Sequence, residues 1–161
     1  MKRLILIRHA KSSWEYDVID HERPLITRGL KDANLVSNHL ISSIISIDSV
    51  ICSDAKRTIQ TADIFIAGLN IDPEIVRYNH NLYDFVGKEL INVIKNCDNS
   101  VHNLMIFGHN HAITSFVNAY GSEHIDNVPT CGVTIIEFDI FNWIHLEQGK
   151  TIKILFPRDL K

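Results

Sequence analysis

Arg8 and His9 directly follow the apolar run Leu4-Ile5-Leu6-Ile7, Arg57 lies shortly after Ser49-Val50-Ile51-Cys52, and His109 follows Gly108 at the end of another apolar run. Guanidinium is planar and permanently charged, so two of them grip an oxyanion bidentately, and free N–H groups at a helix start add further donors. A neutral imidazole, with a reference pKa of about 6.5, offers a lone pair at cellular pH, and cationic neighbours hold it neutral. A second imidazole can stabilise the negative charge that develops. Together these residues suit binding of an oxyanion and nucleophilic attack on it.

That chemistry needs elements that deliver the residues to one place. Leu4 to Ile7 has the pattern of a short strand covered on both faces, which presents Arg8 and His9 at its C-terminal end. From Thr27 to Ile45, apolar residues at Leu30, Ala33, Val36, Leu40, Ile41 and Ile44 recur at three- and four-residue spacing, predicting an amphipathic helix capped by Thr27. Ser49 to Cys52 reads as a strand, followed by Ser53 or Asp54 as the N-cap of a helix through Ile59, Ala62, Ile66 and Leu69, with Arg57 in its first turn. Further along come a strand over Glu74 to Tyr78 and a helix over Lys88 to Cys97 with Leu90, Val93 and Ile94 inward. A buried strand over Asn103 to Phe107, closed by Gly108-His109-Asn110, leads to a helix from His111 to Tyr120 and two final strands, Val133 to Phe138 and Lys150 to Phe156. The alternation predicts an α/β three-layer sandwich, with a mostly parallel central sheet and helices on both faces. In such sheets ligands sit beyond the carboxyl ends of the strands, where Arg8-His9, Ser53 to Arg57 and Gly108-His109-Asn110 all fall.

The chain has 161 residues, 45% hydrophobic and 22% charged, and no repeat or linker divides it. One domain over residues 1–161 is expected, burying roughly two thirds of its unfolded surface. A net charge of −3 argues against a nucleic-acid partner, which would call for a basic stripe. The apolar run after Met1-Lys2-Arg3 is too short for a signal peptide, and no stretch approaches the roughly 18 apolar residues of a membrane helix. A cytoplasmic protein without a membrane partner is expected. Cys52, Cys97 and Cys131 are odd in number and widely spaced, which suits a reducing compartment and three small buried hydrophobes.

The segments Leu6-Ile7-Arg8-His9-Ala10-Lys11-Ser12-Ser13-Trp14, Asp20-His21-Glu22-Arg23-Pro24-Leu25 with Gly29 after it, Ser53-Asp54-Ala55-Lys56-Arg57-Thr58-Ile59-Gln60-Thr61-Ala62, Gly108-His109-Asn110 and Val128-Pro129-Thr130 occur in that order. In them the chain resembles the histidine phosphatase superfamily, with its phosphoglycerate mutase-like fold, and within it the short SixA-type phosphohistidine phosphatases. The Trp143 turn and Phe156-Pro157-Arg158 extend the likeness over nearly the whole chain. The resemblance implies that His9 takes the phosphoryl group, Arg8 and Arg57 hold its oxygens, His109 donates to it, and Arg23 is a further arginine of the pocket. Water then hydrolyses the phosphohistidine, with no metal and no cofactor. The partner implied is a histidine-phosphorylated protein, such as a phosphotransfer domain of a signalling or sugar-uptake relay.

Larger members of that superfamily place a carboxylic acid near the leaving group and a glycine after the attacking histidine. Here the next residue is Ala10, and Asp84 and Glu89 lie where an acid would come from without matching an acid motif. Asp84 is the candidate acid. An alkoxide needs protonation to leave far more than the nitrogen of a phosphorylated imidazole does, so a weak acid signal favours protein phosphohistidine as substrate. The alternatives are a phosphomonoesterase for a small phosphorylated metabolite and a module that binds phosphoprotein without turnover. His109-Asn110-His111 invites a metal reading, but a helix starting there turns the two rings to different faces, and no metal is assigned. His21, His39, His80, His102, His124 and His145 share no spacing and read as surface or loop residues. Lys11, Ser12 and Ser13 either contact phosphate or form the turn after the strand.

Overall fold

Strand β1 (Lys2–Arg8) is buried on both sides, with Leu4 and Leu6 turned to one layer of the core and Ile5 and Ile7 to the other. Side chains alternate along a strand, so a run of branched apolar residues without interruption is stable only between two apolar layers. The computed structural model, which describes residues 1–43 and 46–161, supplies both layers. The remaining elements are α1 (Thr27–Leu40), β2 (Ser49–Cys52), α2 (Lys56–Gly68), β3 (Val76–Tyr78), α3 (Lys88–Lys95), β4 (Asn103–Gly108), α4 (Ala112–Tyr120), β5 (Val133–Phe138) and β6 (Lys150–Leu155).

The sheet has the order β3-β2-β4-β1-β5-β6. Strands β3, β2, β4 and β1 run parallel, and β5 is antiparallel to both its neighbours. Helices α1 and α2 cover the face bearing Ile5 and Ile7 with Ala33, Val36, Leu40, Ala62 and Phe65. Helices α3 and α4 cover the opposite face with Leu90, Val93, Ile94, Ile113, Phe116 and Val117. The expected three-layer α/β arrangement is thus present. Arg8 pairs with Gly108, and Cys52 with Phe107, so β1, β2 and β4 end level with one another.

Several local expectations are corrected. Thr27 is the first residue of α1, not its cap; Ile26 holds that position and no side chain caps it. The helix ends at Leu40, Leu30 and Ile41 are exposed, and Ile44 and Ile45 lie outside the described residues. Gly29 bears on the buried face: its backbone presses on the Lys11 carbonyl so closely that a Cβ would stand 2.2 Å from that oxygen. With Gly29 against Lys11, the inward line becomes Gly29, Ala33, Val36 and Leu40, and neighbours one position away rotate outward. Helix α2 starts at Lys56 with Ala55 before it, because the side chains of Ser53 and Asp54 bond elsewhere.

Glu74 belongs to a 3-10 turn, Pro73–Ile75, capped by the Asp72 carboxylate, which leaves a three-residue β3. Pro73 has no N–H to give a ladder, which favours the turn. Helix α3 stops at Lys95, short of Cys97, α4 begins at Ala112, and β6 ends at Leu155, one residue before Phe156. All three cysteines are free; Cys52 and Cys131 are buried as expected, whereas Cys97 is only partly so. Among the described residues no helix is long and apolar enough to cross a membrane.

Candidate active site

Beyond the level ends of β1, β2 and β4 lies a cavity of about 270 Å³ bordered by Arg8, His9, Lys11, Ser12, Trp14, Asp20, Arg23, Arg57, Phe85, Asn110 and Thr130. Four of these side chains are cations and one is a carboxylate, so the cavity is an anion site by charge alone.

His9 is 7% exposed, and its Nδ1 lies 2.7 Å from the Ala10 carbonyl oxygen. A carbonyl only accepts, so Nδ1 carries the hydrogen and Nε2 keeps its lone pair. The Arg57 Nε–H donates to that Nε2 at 3.4 Å. Burial pushes the His9 pKa down to about 3, opposed by the Ala10 carbonyl and assisted by Arg57, Arg8 and Arg23. The ring is neutral at pH near 7, with its bare nitrogen beside a guanidinium.

His109, 1% exposed, stands against His9 with ring centroids 5.3 Å apart. Its Nε2 is 2.8 Å from Ser53 Oγ, which also accepts the Ala55 N–H at 3.3 Å. With the hydroxyl donating to Nε2, the ring hydrogen falls on Nδ1, a buried atom that has no hydrogen-bond partner among the described residues. An unmet buried donor costs about 1–3 kcal/mol, a cost relieved when an anion supplies the acceptor. Burial, then His9 and Arg57, push the His109 pKa down to about 2.

Asp20 organises the arginines. Arg57, at the first turn of α2, donates from Nη1 to the Asp20 carbonyl at 2.7 Å and from Nη2 to its carboxylate at 3.0 Å. Arg23 donates from Nε to the other carboxylate oxygen at 3.0 Å and from Nη1 to Ser12 Oγ at 2.8 Å. The Tyr83 hydroxyl donates to Asp20 as well. Burial alone would raise the Asp20 pKa, but these bonds from Tyr83, Arg57 and Arg23 outweigh it and hold the carboxyl well below its usual range. Arg8 donates from Nη1 to the Val128 carbonyl at 2.8 Å. Arg23 lies 3.6 Å over the Trp14 ring, which is 76% exposed at the cavity mouth.

The family model of the histidine phosphatase superfamily (branch 1) matches residues 4–78. An uncharacterized protein of Mycobacterium tuberculosis is 31% identical over 153 residues, covering 89% of this chain and 93% of the relative. The chain belongs to the histidine phosphatase superfamily. In fold it is similar to the putative phosphohistidine phosphatase SixA of Agrobacterium tumefaciens, with a TM-score of 0.80, 22% identity and coverage of 96% and 97% of the two chains. It is also similar to a protein histidine phosphatase SixA solved with tungstate, with a TM-score of 0.79, 21% identity and 99% coverage of both.

In this superfamily member the structure brings together His9, Arg8, Arg57, Arg23 and His109, all of them expected from the sequence. Asp84 is the exception. It does not border the cavity; its carboxylate accepts the N–H groups of Val86, Gly87, Glu89 and Leu90 at 3.0 to 3.1 Å, capping α3. Burial would raise its pKa, but these four donors hold it below the usual range, so in this structure Asp84 caps α3. Lys11 and Ser12 border the cavity, while Ser13 accepts Arg23 Nη1 on its carbonyl. The sequence assigns no role in the site to Asp20, Ser53 or Tyr83. Asp20 had a signal, a carboxylate three residues before Arg23.

The depressed histidines have a consequence for stability. Between about pH 6.5 and 3 the unfolded chain takes up protons that folded His9 and His109 refuse, so stability falls as pH falls through that window. The urea midpoint of the wild type is expected to drop more between pH 7 and 5 than those of His9→Asn and His109→Asn. Equal drops in all three proteins would remove the assignment of both rings as neutral.

Proposed function

We propose that the protein is a phosphatase in which Nε2 of His9 takes the phosphoryl group, water hydrolyses the resulting phosphohistidine, and the physiological substrate is a phosphohistidine on another protein. The Nε2 lone pair forms a bond to phosphorus as the P–N bond of the substrate breaks. The departing imidazole, already protonated on its other nitrogen, leaves neutral. Water then attacks phosphorus, the P–Nε2 bond breaks with its electron pair returning to His9, and inorganic phosphate is released with the water's proton passing to solvent. Arg8 and Arg57 neutralise the phosphoryl oxygens, His109 donates from Nδ1, and Arg23 extends the same cationic wall. Positioning and charge neutralisation are what phosphoryl transfer asks of a protein, and guanidiniums supply them here in place of a metal.

One observation carries the choice of substrate: the cavity's carboxylate, Asp20, is committed to Arg57, Arg23 and Tyr83 and held ionised. An ionised carboxylate has no proton for an alkoxide, whereas an imidazole leaves without one. Exposed Trp14 and half-exposed Phe85 at the mouth offer apolar contact to the surface around a protein-borne phosphohistidine.

Comparing kcat/KM for a histidine-phosphorylated phosphotransfer domain, phosphoimidazole and an alkyl phosphate tests the reading. The P–N substrates are expected to exceed the alkyl ester by roughly 10²- to 10⁴-fold, the usual worth of a general acid. Alkyl hydrolysis at a comparable rate would overturn the leaving-group argument and favour a small-metabolite phosphomonoesterase.

A further inference from the structure

We propose that His21, Asp54 and His80 form a binding site for a divalent metal ion of the zinc class, beside the turn that carries Asp20 and outside the phosphoryl chemistry. Their ligating atoms all lie within 4.8 Å of one another. His21 Nε2 is 2.8 Å from Asp54 Oδ1, and His80 Nδ1 is 3.0 Å from each oxygen of the same carboxylate. Two imidazole nitrogens from different segments thus converge on one carboxylate.

The donor set and its geometry suit zinc better than the hard cations. Magnesium and calcium take mainly oxygen ligands, whereas imidazole with a carboxylate suits zinc and its neighbours. In a tetrahedral site with bonds of about 2.0–2.2 Å, ligand atoms stand roughly 3.3 Å apart. The two separations to Asp54 are shorter by a few tenths of an ångström, as hydrogen bonds are, the two imidazole nitrogens lie within 4.8 Å of each other, and side chains with 24%, 34% and 70% exposure have room to adjust. Water completes the coordination on the exposed side. On binding, the ion replaces the hydrogens that now bridge each imidazole to Asp54, and these leave to solvent.

A further carboxylate already supports one of the ligands. The other ring nitrogen of His21, Nδ1, lies 3.3 Å from Glu22 Oε1, the carboxylate–histidine arrangement that orients metal-bound imidazoles. The three ligands come from separate segments: His21 from the 3-10 turn Asp20–Glu22, Asp54 from the loop after β2, and His80 from the 3-10 turn His80–Leu82. A bound ion therefore ties the turn carrying Asp20, which holds Arg57 and Arg23, to the ends of two strands.

The test is calorimetric titration of the chelator-treated full chain with Zn²⁺, repeated with Co²⁺ while following its visible absorption. One equivalent is expected to bind, with the intense absorption of a tetrahedral Co²⁺ site. His80→Ala and Asp54→Asn are each expected to weaken binding at least about tenfold while leaving the far-ultraviolet dichroism of the apo protein unchanged. No saturable binding would overturn the proposal. So would binding of the same affinity in a folded His80→Ala protein, since the ion would then sit elsewhere. None of these readouts depends on catalysis, so their outcome is separate from that of the phosphatase reading.

Discussion

Replacing His9 by alanine is expected to lower turnover by roughly 10⁴- to 10⁶-fold, the range that loss of an enzyme's nucleophile or its base costs. The geometry leaves no substitute: the other buried imidazole, His109, has its Nε2 engaged by Ser53, and both buried cysteines have thiol pKa values pushed up by burial beyond any useful thiolate fraction at neutral pH. Rapid quenching of the wild type with a ³²P-labelled phosphoramidate should trap an acid-labile, base-stable label on His9. The alanine variant should retain its fold, because the His9 side chain bonds only the Ala10 carbonyl and, at 3.4 Å, the Arg57 Nε–H, and its removal leaves the pairing of β1 untouched. Label that persists in the variant, or turnover near that of the wild type, would refute the mechanism.

Replacing His109 by alanine is expected to lower kcat by about 10²- to 10³-fold, the cost of removing one preorganised donor from a developing oxyanion. KM should change less, because the proposed mechanism assigns ground-state binding of the phosphoryl group to Arg8, Arg57 and Arg23, which the substitution leaves in place. The distinguishing readout is the intermediate: phospho-His9 should form slowly and decay slowly, where a binding defect would lower its occupancy and leave its decay alone. Ser53→Ala should fall between wild type and His109→Ala, since it removes the nearer of the two hydroxyls at His109 Nε2 and leaves Thr58 Oγ1 at 3.4 Å. A variant at position 109 with undiminished kcat would remove the donor role.

Much of the site was legible because the residues that carry it stand at strand ends, and short branched runs such as Leu4 to Ile7 announce a strand by composition alone. Arg8, His9, Arg57 and His109 then follow from topology, since parallel strands end on one edge. What failed to read were roles set by contacts distant in sequence. Thr27 has the chemistry of a cap, yet it stands inside the helix, and the close approach of Gly29 to Lys11 bears on which residues that helix buries. Ser53 has the same chemistry and is drawn instead to His109. Asp84 sits in the right region for an acid, but four backbone N–H groups claim its oxygens, a local geometry that no pairwise spacing reveals. His21 and His80 lie 59 positions apart and meet only because Asp54 stands between them at the end of β2.

The sheet order has a consequence for how the molecule breathes. β3 and β6 are its margins and contribute no side chain to the cavity, whereas β1, β2 and β4, at whose ends the chemistry stands, each have a strand on both sides. Local opening is cheapest where partners are fewest, so amides of the two margins should exchange with solvent while those of β1 and β4 wait for global unfolding. Transient fraying therefore spares the pocket, and a substitution that weakens a margin reduces the population of folded molecules without changing the kinetics of those that remain.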